Sequence, residues 1–265
     1  PDQGYSWQIG NHALLAELTG LDVIGDFRTR DIAAGGQGAP LVPAFHQHVF
    51  ASPAHNRVIA NIGGIANISV LNRTAEVFGF DTGPGNMLMD AWIMTHCGQP
   101  YDQNGDWAAS GQVSTPLLQH LLDEHFFSLA PPKSTGRDLF NMEWLHAKLA
   151  GFSHIAPADI QATLCELTAH SLSAAITRFA PETEEIYLCG GGAFNSTLKT
   201  GIQHQLPACR VLTTETLGLP VQLVEAVAFA WLGWRFHQQL SGNLPKVTGA
   251  AGLRILGAWY PGRNP

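Results

Sequence analysis

Two apolar, β-branched runs, Val58-Ile59-Ala60-Asn61-Ile62 and Ile65-Ala66-Asn67-Ile68-Ser69-Val70-Leu71, flank the pair Gly63-Gly64. This spacing predicts two strands joined at a glycine turn, and a third strand over residues 76–80 would complete an antiparallel meander. Downstream the period changes. Apolar residues recur at three- and four-residue steps over residues 87–97, 115–127 and, most clearly, 157–179, where Ile160, Leu164, Leu167, Leu172, Ala175, Ile176 and Phe179 mark one helix face. Pro157 stands where a first helical turn accepts proline. A short strand over residues 185–189 then runs into Gly190-Gly191-Gly192, with a new helix near Asn195, a strand around residues 210–213 and a last long helix over residues 222–240. Upstream of the meander, residues 12–19 are amphipathic and residues 21–25 are extended. The glycine-rich residues 33–43 read as a loop, and the tail after Gly242 as irregular. The sum is a sheet with helices packed on it, a mixed α/β protein.

The chain has 265 residues, 45% hydrophobic and 13% charged, enough for a sizeable core and too little charge for a disordered solvating segment. Fourteen Lys and Arg against twenty-one Asp and Glu give a net charge of −7, with no basic run to track a nucleic acid or an anionic membrane surface. Cys97, Cys165, Cys189 and Cys209 form no Cys-x-x-Cys pair and read as four buried thiols in a reducing compartment. No apolar stretch approaches the roughly 18 residues of a membrane helix. A soluble, cytoplasmic protein is the expectation.

Three glycine clusters stand beside strand ends: Gly63-Gly64, then Gly83-Pro84-Gly85-Asn86, then Gly190-Gly191-Gly192 with Asn195. Glycine lets backbone N–H groups approach a phosphate, and a following helix adds the positive end of its dipole; the plainer reading is a set of tight turns. Lys133-Ser134 resembles the end of a P-loop, but Pro131-Pro132 occupies the glycine positions, and no Gly-x-Gly-x-x-Gly follows a strand. Asp81 is placed at the end of a strand, either as a general base facing a cleft or as a turn-forming carboxylate. Glu225 interrupts an apolar helix, where burial demands a partner or a ligand. Arg28 and Arg30 could hold a substrate carboxylate by paired hydrogen bonds, or could pair with Asp26 or Asp31. His46 and His48 alternate like metal ligands but have no third ligand nearby, so the metal ligands stay unassigned.

Taken in order, NIGGIANIS (residues 61–69), GFDTGPGNMLMDAW (79–92), KSTGRDLFN (133–141), LCGGGAFN (188–195) and VEAVAFAW (224–231) resemble the characteristic blocks of the anhydro-N-acetylmuramic acid kinases, and residues 8–46 resemble the same family. That resemblance implies membership of the sugar kinase/actin/Hsp70 superfamily, a two-domain, ribonuclease H-like α/β fold that clamps ATP. It further implies hydrolytic opening of a 1,6-anhydro amino sugar with transfer of the ATP γ-phosphate to O6, with Mg²⁺, in peptidoglycan recycling by a cytoplasmic homodimer. Asp81 matches the family's catalytic base, and Glu225 a residue that helps bind sugar. Gly190, Gly191, Gly192 and Asn195 resemble the adenosine motif. Gly63, Gly64, Asn67, Gly83, Gly85 and Asn86 resemble the second phosphate-contacting region. Arg28 and Arg30 are our own assignment to the substrate carboxylate.

Nothing here resembles the family's opening Gly-Thr-Ser-x-Asp-Gly phosphate loop, so about 100 N-terminal residues of the family pattern are missing from this sequence. On this reading residues 1–56 are the remnant of an N-terminal domain and residues 57–265 the ATP-binding domain, with the last helix at the domain interface. Two other readings use the same residues: a glycoside hydrolase with Asp81 and Glu225 as its carboxylate pair, and a non-catalytic nucleotide- or sugar-binding module.

Overall fold

Asn11 opens the first helix and Gly20 closes it. In the computed structural model, which describes residues 4–74 and 76–263, α1 (His12–Thr19) starts with the Asn11 side chain accepting the Leu14 N–H at 2.9 Å and ends at Gly20 in the left-handed region, φ 70°. The extended run is a short strand, β1 (Val23–Gly25). The glycine-rich stretch expected as one loop is bounded by helices at both ends, α2 (Thr29–Ala33) and α3 (Val42–Phe50), because Pro43 fits a first helical turn.

The meander follows as β2 (Arg57–Ile62), β3 (Ile65–Leu71) and β4 (Phe78–Pro84). β4 begins and ends later than the expected residues 76–80. A register shift at Ala66/Asn67 sets Gly83 opposite Ala66 and Asp81 opposite Asn67, so β4 carries one extra residue, a bulge that lets the strand run on to Pro84. Helices α4 (Met87–Cys97), α5 (Asp106–Ser110), α6 (Thr115–Leu122), α7 (His125–Ser128), α8 (Met142–Lys148) and α9 (Pro157–Phe179) come next. The helix expected over residues 115–127 is thus two, broken at Asp123 and Glu124. β5 (Glu185–Cys189), α10 (Ser196–Gln205) and β6 (Arg210–Thr213) complete the layer.

Strand order is β4-β3-β2-β5-β6, with β2, β3 and β4 antiparallel and β5 and β6 parallel to β2. Val58, Ala60 and Ile62 of β2, Ala66, Ile68 and Val70 of β3, Phe80 of β4 and Ile186 and Leu188 of β5 line one sheet face and join Leu164, Leu172 and Ile176 of α9 in the main core. Each of the Val, Leu, Ile and Phe side chains in this set contributes about 1.5–3 kcal/mol on burial, so the long helix is held by this face rather than by its intrinsic propensity.

The chain closes with α11 (Val224–His237), α12 (Pro245–Thr248) and β7 (Ala258–Tyr260). The tail is therefore not irregular throughout: β7 pairs antiparallel with β1, Ile24 opposite Trp259. By its contacts the chain divides into Pro1–Phe50 with Glu225–Pro265, and Ala51–Val224. The boundary drawn at 56/57 from the sequence falls inside the second unit, and the residues after Glu225 group with the N-terminal segment. Phe27, Leu41, Leu232 and Leu256 form the first unit's core. Asp31, fully buried there, accepts the Gly38 N–H at 2.9 Å, the Asn243 amide at 2.8 Å and the Thr248 hydroxyl at 2.8 Å.

Candidate active site

β2 and β5 run parallel and stop side by side, at Ile62 and Cys189, and each hands over to glycine. The carboxyl ends of parallel strands are where open α/β sheets bind ligands. A third turn joins them. The N–H groups of Gly85 and Asn86 donate to the carbonyls of Gly64 and Gly63, both at 2.8 Å, and the Asn86 amide donates to the Ile62 carbonyl at 3.3 Å. At Gly85 and Gly190 the fit leaves no space for a side chain. A Cβ on Gly85 would lie 2.2 Å from the Gly63 oxygen, and one on Gly190, which has φ 77°, would lie 2.5 Å from Asn61 Oδ1.

Gly63, Gly64, Gly85, Gly190 and Gly192 thus build a wall, with Asn86 at its centre: a Cβ on Gly192 would meet the Asn86 Oδ1 at 2.9 Å. Beside it is a cavity of about 600 Å³, lined by Asn86, Asp90, Asp102, Gly191, Phe194 and Asn195 among others. Asn195 caps α10, accepting the Leu198 N–H at 2.9 Å, and Asn86 stands immediately before α4. Two helix N-termini therefore face this region, a favourable field for an anion. Gly83 lies apart from the wall; a Cβ there would point at Phe127 and Ser171.

Residues opposite one another in a ladder project from the same face, so Cys189, Asn61, Asn67 and Asp81 form a polar row across four strands. Asp81 occupies the free edge of that row. It sits in the middle of β4 instead of at its end, roughly 13 Å along the strand from Gly85 at about 3.3 Å per residue. The bulge matters here: without it Asp81 and Gly83, two residues apart, would share a face, whereas Gly83 turns to α9 and Asp81 to the other side. The segment from Lys133 to Thr135 crosses the edge and holds the carboxylate. The Asp81 N–H donates to the Lys133 carbonyl at 3.2 Å, and the Thr135 N–H donates to Asp81 Oδ2 at 3.0 Å. Burial raises the Asp81 pKa above the ordinary 3.8, partly opposed by the Thr135 N–H and the Lys133 charge.

Asp90 and Asp102 were not singled out in the sequence. Asp102 accepts the N–H groups of Trp107 and Ala108, each at 2.9 Å, and the Gln161 amide at 3.1 Å. Asp90, half-buried on α4, is pushed up to about 6 by burial and by the Asp102 charge. Asn61 lies in the block over residues 61–69 that resembles the second phosphate-contacting region but was not named on its own; the ladder sets it opposite Asn67.

The other expected residues belong to the first unit. Arg28 donates to the Gly38 carbonyl at 2.7 Å, and Arg30 is exposed on α2. Asp31 is satisfied by neutral donors, so the Arg–Asp31 pairing weighed from the sequence is not what holds it. Glu225 is exposed, which removes the buried carboxylate inferred from its apolar helix: Ala226, Phe229 and Ala230 around it are exposed as well. His46 is buried and its pKa falls to about 3, so it is neutral, and among the described residues no group of three or more His, Cys, Asp or Glu could hold a metal. Cys165 and Cys189 are buried, Cys209 partly so, and Cys97 is exposed, contrary to the expectation of four buried thiols.

The sheet order and the glycine turns at its carboxyl edge define the class: a ribonuclease H-like α/β protein with a half-buried carboxylate on its edge strand. The model of the anhydro-N-acetylmuramic acid kinase family matches residues 1–262. Relatives named anhydro-N-acetylmuramic acid kinase share 58% identity over 262 residues in Chromobacterium violaceum (98% of this chain, 71% of that protein) and 54% over 261 residues in Shewanella pealeana (98% and 70%). Another, from Nitrosomonas europaea, shares 55% over 261 residues (98% and 71%). The chain belongs to the anhydro-N-acetylmuramic acid kinase family.

Proposed function

We propose that the protein opens 1,6-anhydro-N-acetylmuramic acid with water and phosphorylates the freed O6 from ATP, giving N-acetylmuramic acid 6-phosphate and ADP. Family membership supports the kinase activity and its place in peptidoglycan recycling. The observation that carries the assignment of Asp81 is its position: a carboxylate at the edge of the Asn61–Asn67 row, on the strand that leads into the glycine turns. In this reaction Asp81 takes one proton from water while the water oxygen bonds to the anomeric carbon. The bond from that carbon to O6 breaks. O6 then attacks the γ-phosphorus, and ADP leaves.

Backbone donors of the glycine turns, with Asn86 and Asn195, would line the triphosphate and adenosine. The donor set suits Mg²⁺ carried on phosphate oxygens with at most a carboxylate or two, rather than a cage made wholly by protein. When bound with the nucleotide, Mg²⁺ would offset charge on the transferring phosphoryl group. Arg28 and Arg30 are assigned to the substrate's lactyl carboxylate and Glu225 to the sugar; Ala substitution of each should raise KM, and an unchanged KM removes that residue.

The same reading makes the protein a cytoplasmic homodimer. The free thiols fit a reducing compartment, and among the described residues no helix is long and apolar enough to cross a membrane. Light scattering coupled to size exclusion tests the dimer. The function itself is tested by supplying the anhydro sugar with and without ATP: ADP and a 6-phosphorylated reducing sugar should appear in equal amounts, and ring opening without ATP would contradict it.

A further inference from the structure

A second cavity, of about 310 Å³, lies against α9, away from the glycine wall. That volume is at the lower end of the roughly 300–1,000 Å³ of small-molecule sites. The protein carries a net charge of −7, yet this cavity is lined by Lys133, His170 and Arg178, and no Asp or Glu is among its lining residues. The two acids that act on its lining residues are each engaged by another donor: Asp81, which acts on Lys133, accepts the Thr135 N–H at 3.0 Å, and Glu166, which acts on His170, accepts the Gln205 amide at 2.7 Å.

Lys133 and Arg178 are held in place by one short stretch of backbone. Lys133 Nζ donates to the Phe126 carbonyl at 3.2 Å and lies 4.5 Å from the centre of the Phe126 ring, while Arg178 Nη1 donates to the Ser128 carbonyl at 3.2 Å. These bonds use one of the ammonium's three donors and one of the guanidinium's five. Burial and the neighbouring Arg178 charge push the Lys133 pKa down, against an opposing pull from the Asp81 charge. An anion between them would offset that repulsion. Donors arriving from an ammonium, a guanidinium fork and an imidazole suit the three terminal oxygens of a phosphate monoester better than the two coplanar oxygens of a carboxylate. Leu122, Phe127 and Phe179 supply an apolar wall for the body of such a molecule.

We propose that this cavity binds the phosphate group of a small phosphorylated molecule, at a site separate from the glycine-turn cavity. Titration calorimetry with inorganic phosphate and with a sugar monophosphate, using acetate at matched ionic strength as the control, tests it. Both phosphates should bind, acetate should bind far more weakly, and Arg178→Gln should weaken phosphate at least about tenfold, the loss of one charge-assisted bond. Arg178 is exposed, so this change spares the core. Lys133→Gln should repeat the loss in protein whose circular dichroism is unaltered. Phosphate binding that survives Arg178→Gln would locate the anion at the glycine turns and overturn the proposal. Acetate matching phosphate, or no phosphate binding at all, overturns it equally.

Discussion

At the scale of single residues, burial raises the pKa of two carboxylates, Asp81 and Asp90, and at Asp90 the Asp102 charge adds to the rise. Asp81 must be ionised to accept a proton, and burial holds its pKa above 3.8, so kcat/KM should fall on the acid side at a pH above that of an ordinary aspartate. Asp81→Asn keeps the Thr135 contact but cannot act as a base. It should bind ATP as the parent does and lose at least about 100-fold in turnover, at the lower end of what general bases contribute; calorimetry and a coupled ADP assay measure the two. Asp90 has a pKa raised to about 6, so the folded state holds its proton more tightly than the unfolded state does. Its favourable contribution is complete below about 3.8 and is lost as the pH rises through about 6. Asp90→Asn should therefore stabilise the protein at about pH 7.5 by about 1 kcal/mol, a figure discounted for solvent screening, and the gain should shrink toward pH 4.5 in urea titrations. Asp81 could be singled out from the glycines that follow it. Asp90 could not, because helix placement brings it to its neighbours, and Asn61 was legible only as part of the block over residues 61–69, its partner Asn67 being set by cross-strand register. Glu225 misled in the other direction: an apolar helix sequence implies burial only when something covers the helix.

At the scale of elements, the meander and α9 were legible because period-2 and period-3.6 patterns are local. The late start of β4, its bulge and the pairing of β7 with β1 were not. A bulge is set by the partner strand's register, and a three-residue tail strand has no period to read. The glycine clusters could be located but not joined, since their contact depends on β2 and β5 ending together. That contact has a clear test in two neighbouring glycines. Gly85→Ala forces a Cβ to 2.2 Å from the Gly63 oxygen and should cost about 1–3 kcal/mol while weakening ATP binding. In Gly64→Ala the new Cβ meets only the Met87 Cβ, at 3.7 Å, and the fold should be nearly unaffected. Equal thermal stability of the two variants would mean that the turns are not interlocked.

At the scale of the molecule, the chain comprises two units, and in the one that includes Asp31 this buried carboxylate helps the β1–β7 pair and the apolar core tie segments far apart in sequence. Asp31→Ala removes the acceptor of the Gly38 N–H, at about 1–3 kcal/mol if it is left unpaired, and leaves the Asn243 amide and the Thr248 hydroxyl with only the Gly252 and Leu244 carbonyls. Hydrogen exchange should then show protection lost around Asp31 and in the β1–β7 pair; unchanged exchange there would remove Asp31 from this role. The reaction belongs to the whole protein, since a base on β4 matters only if sugar, water and triphosphate meet beside it. The most direct measurement is turnover of anhydro-N-acetylmuramic acid with ATP and Mg²⁺ in heavy-oxygen water, followed by location of the label. The account predicts heavy oxygen on the anomeric carbon and none in the bond between O6 and phosphorus, with no labelled product from Asp81→Asn. Label entering the phosphate group, or labelled sugar formed at the parent rate by Asp81→Asn, would contradict it.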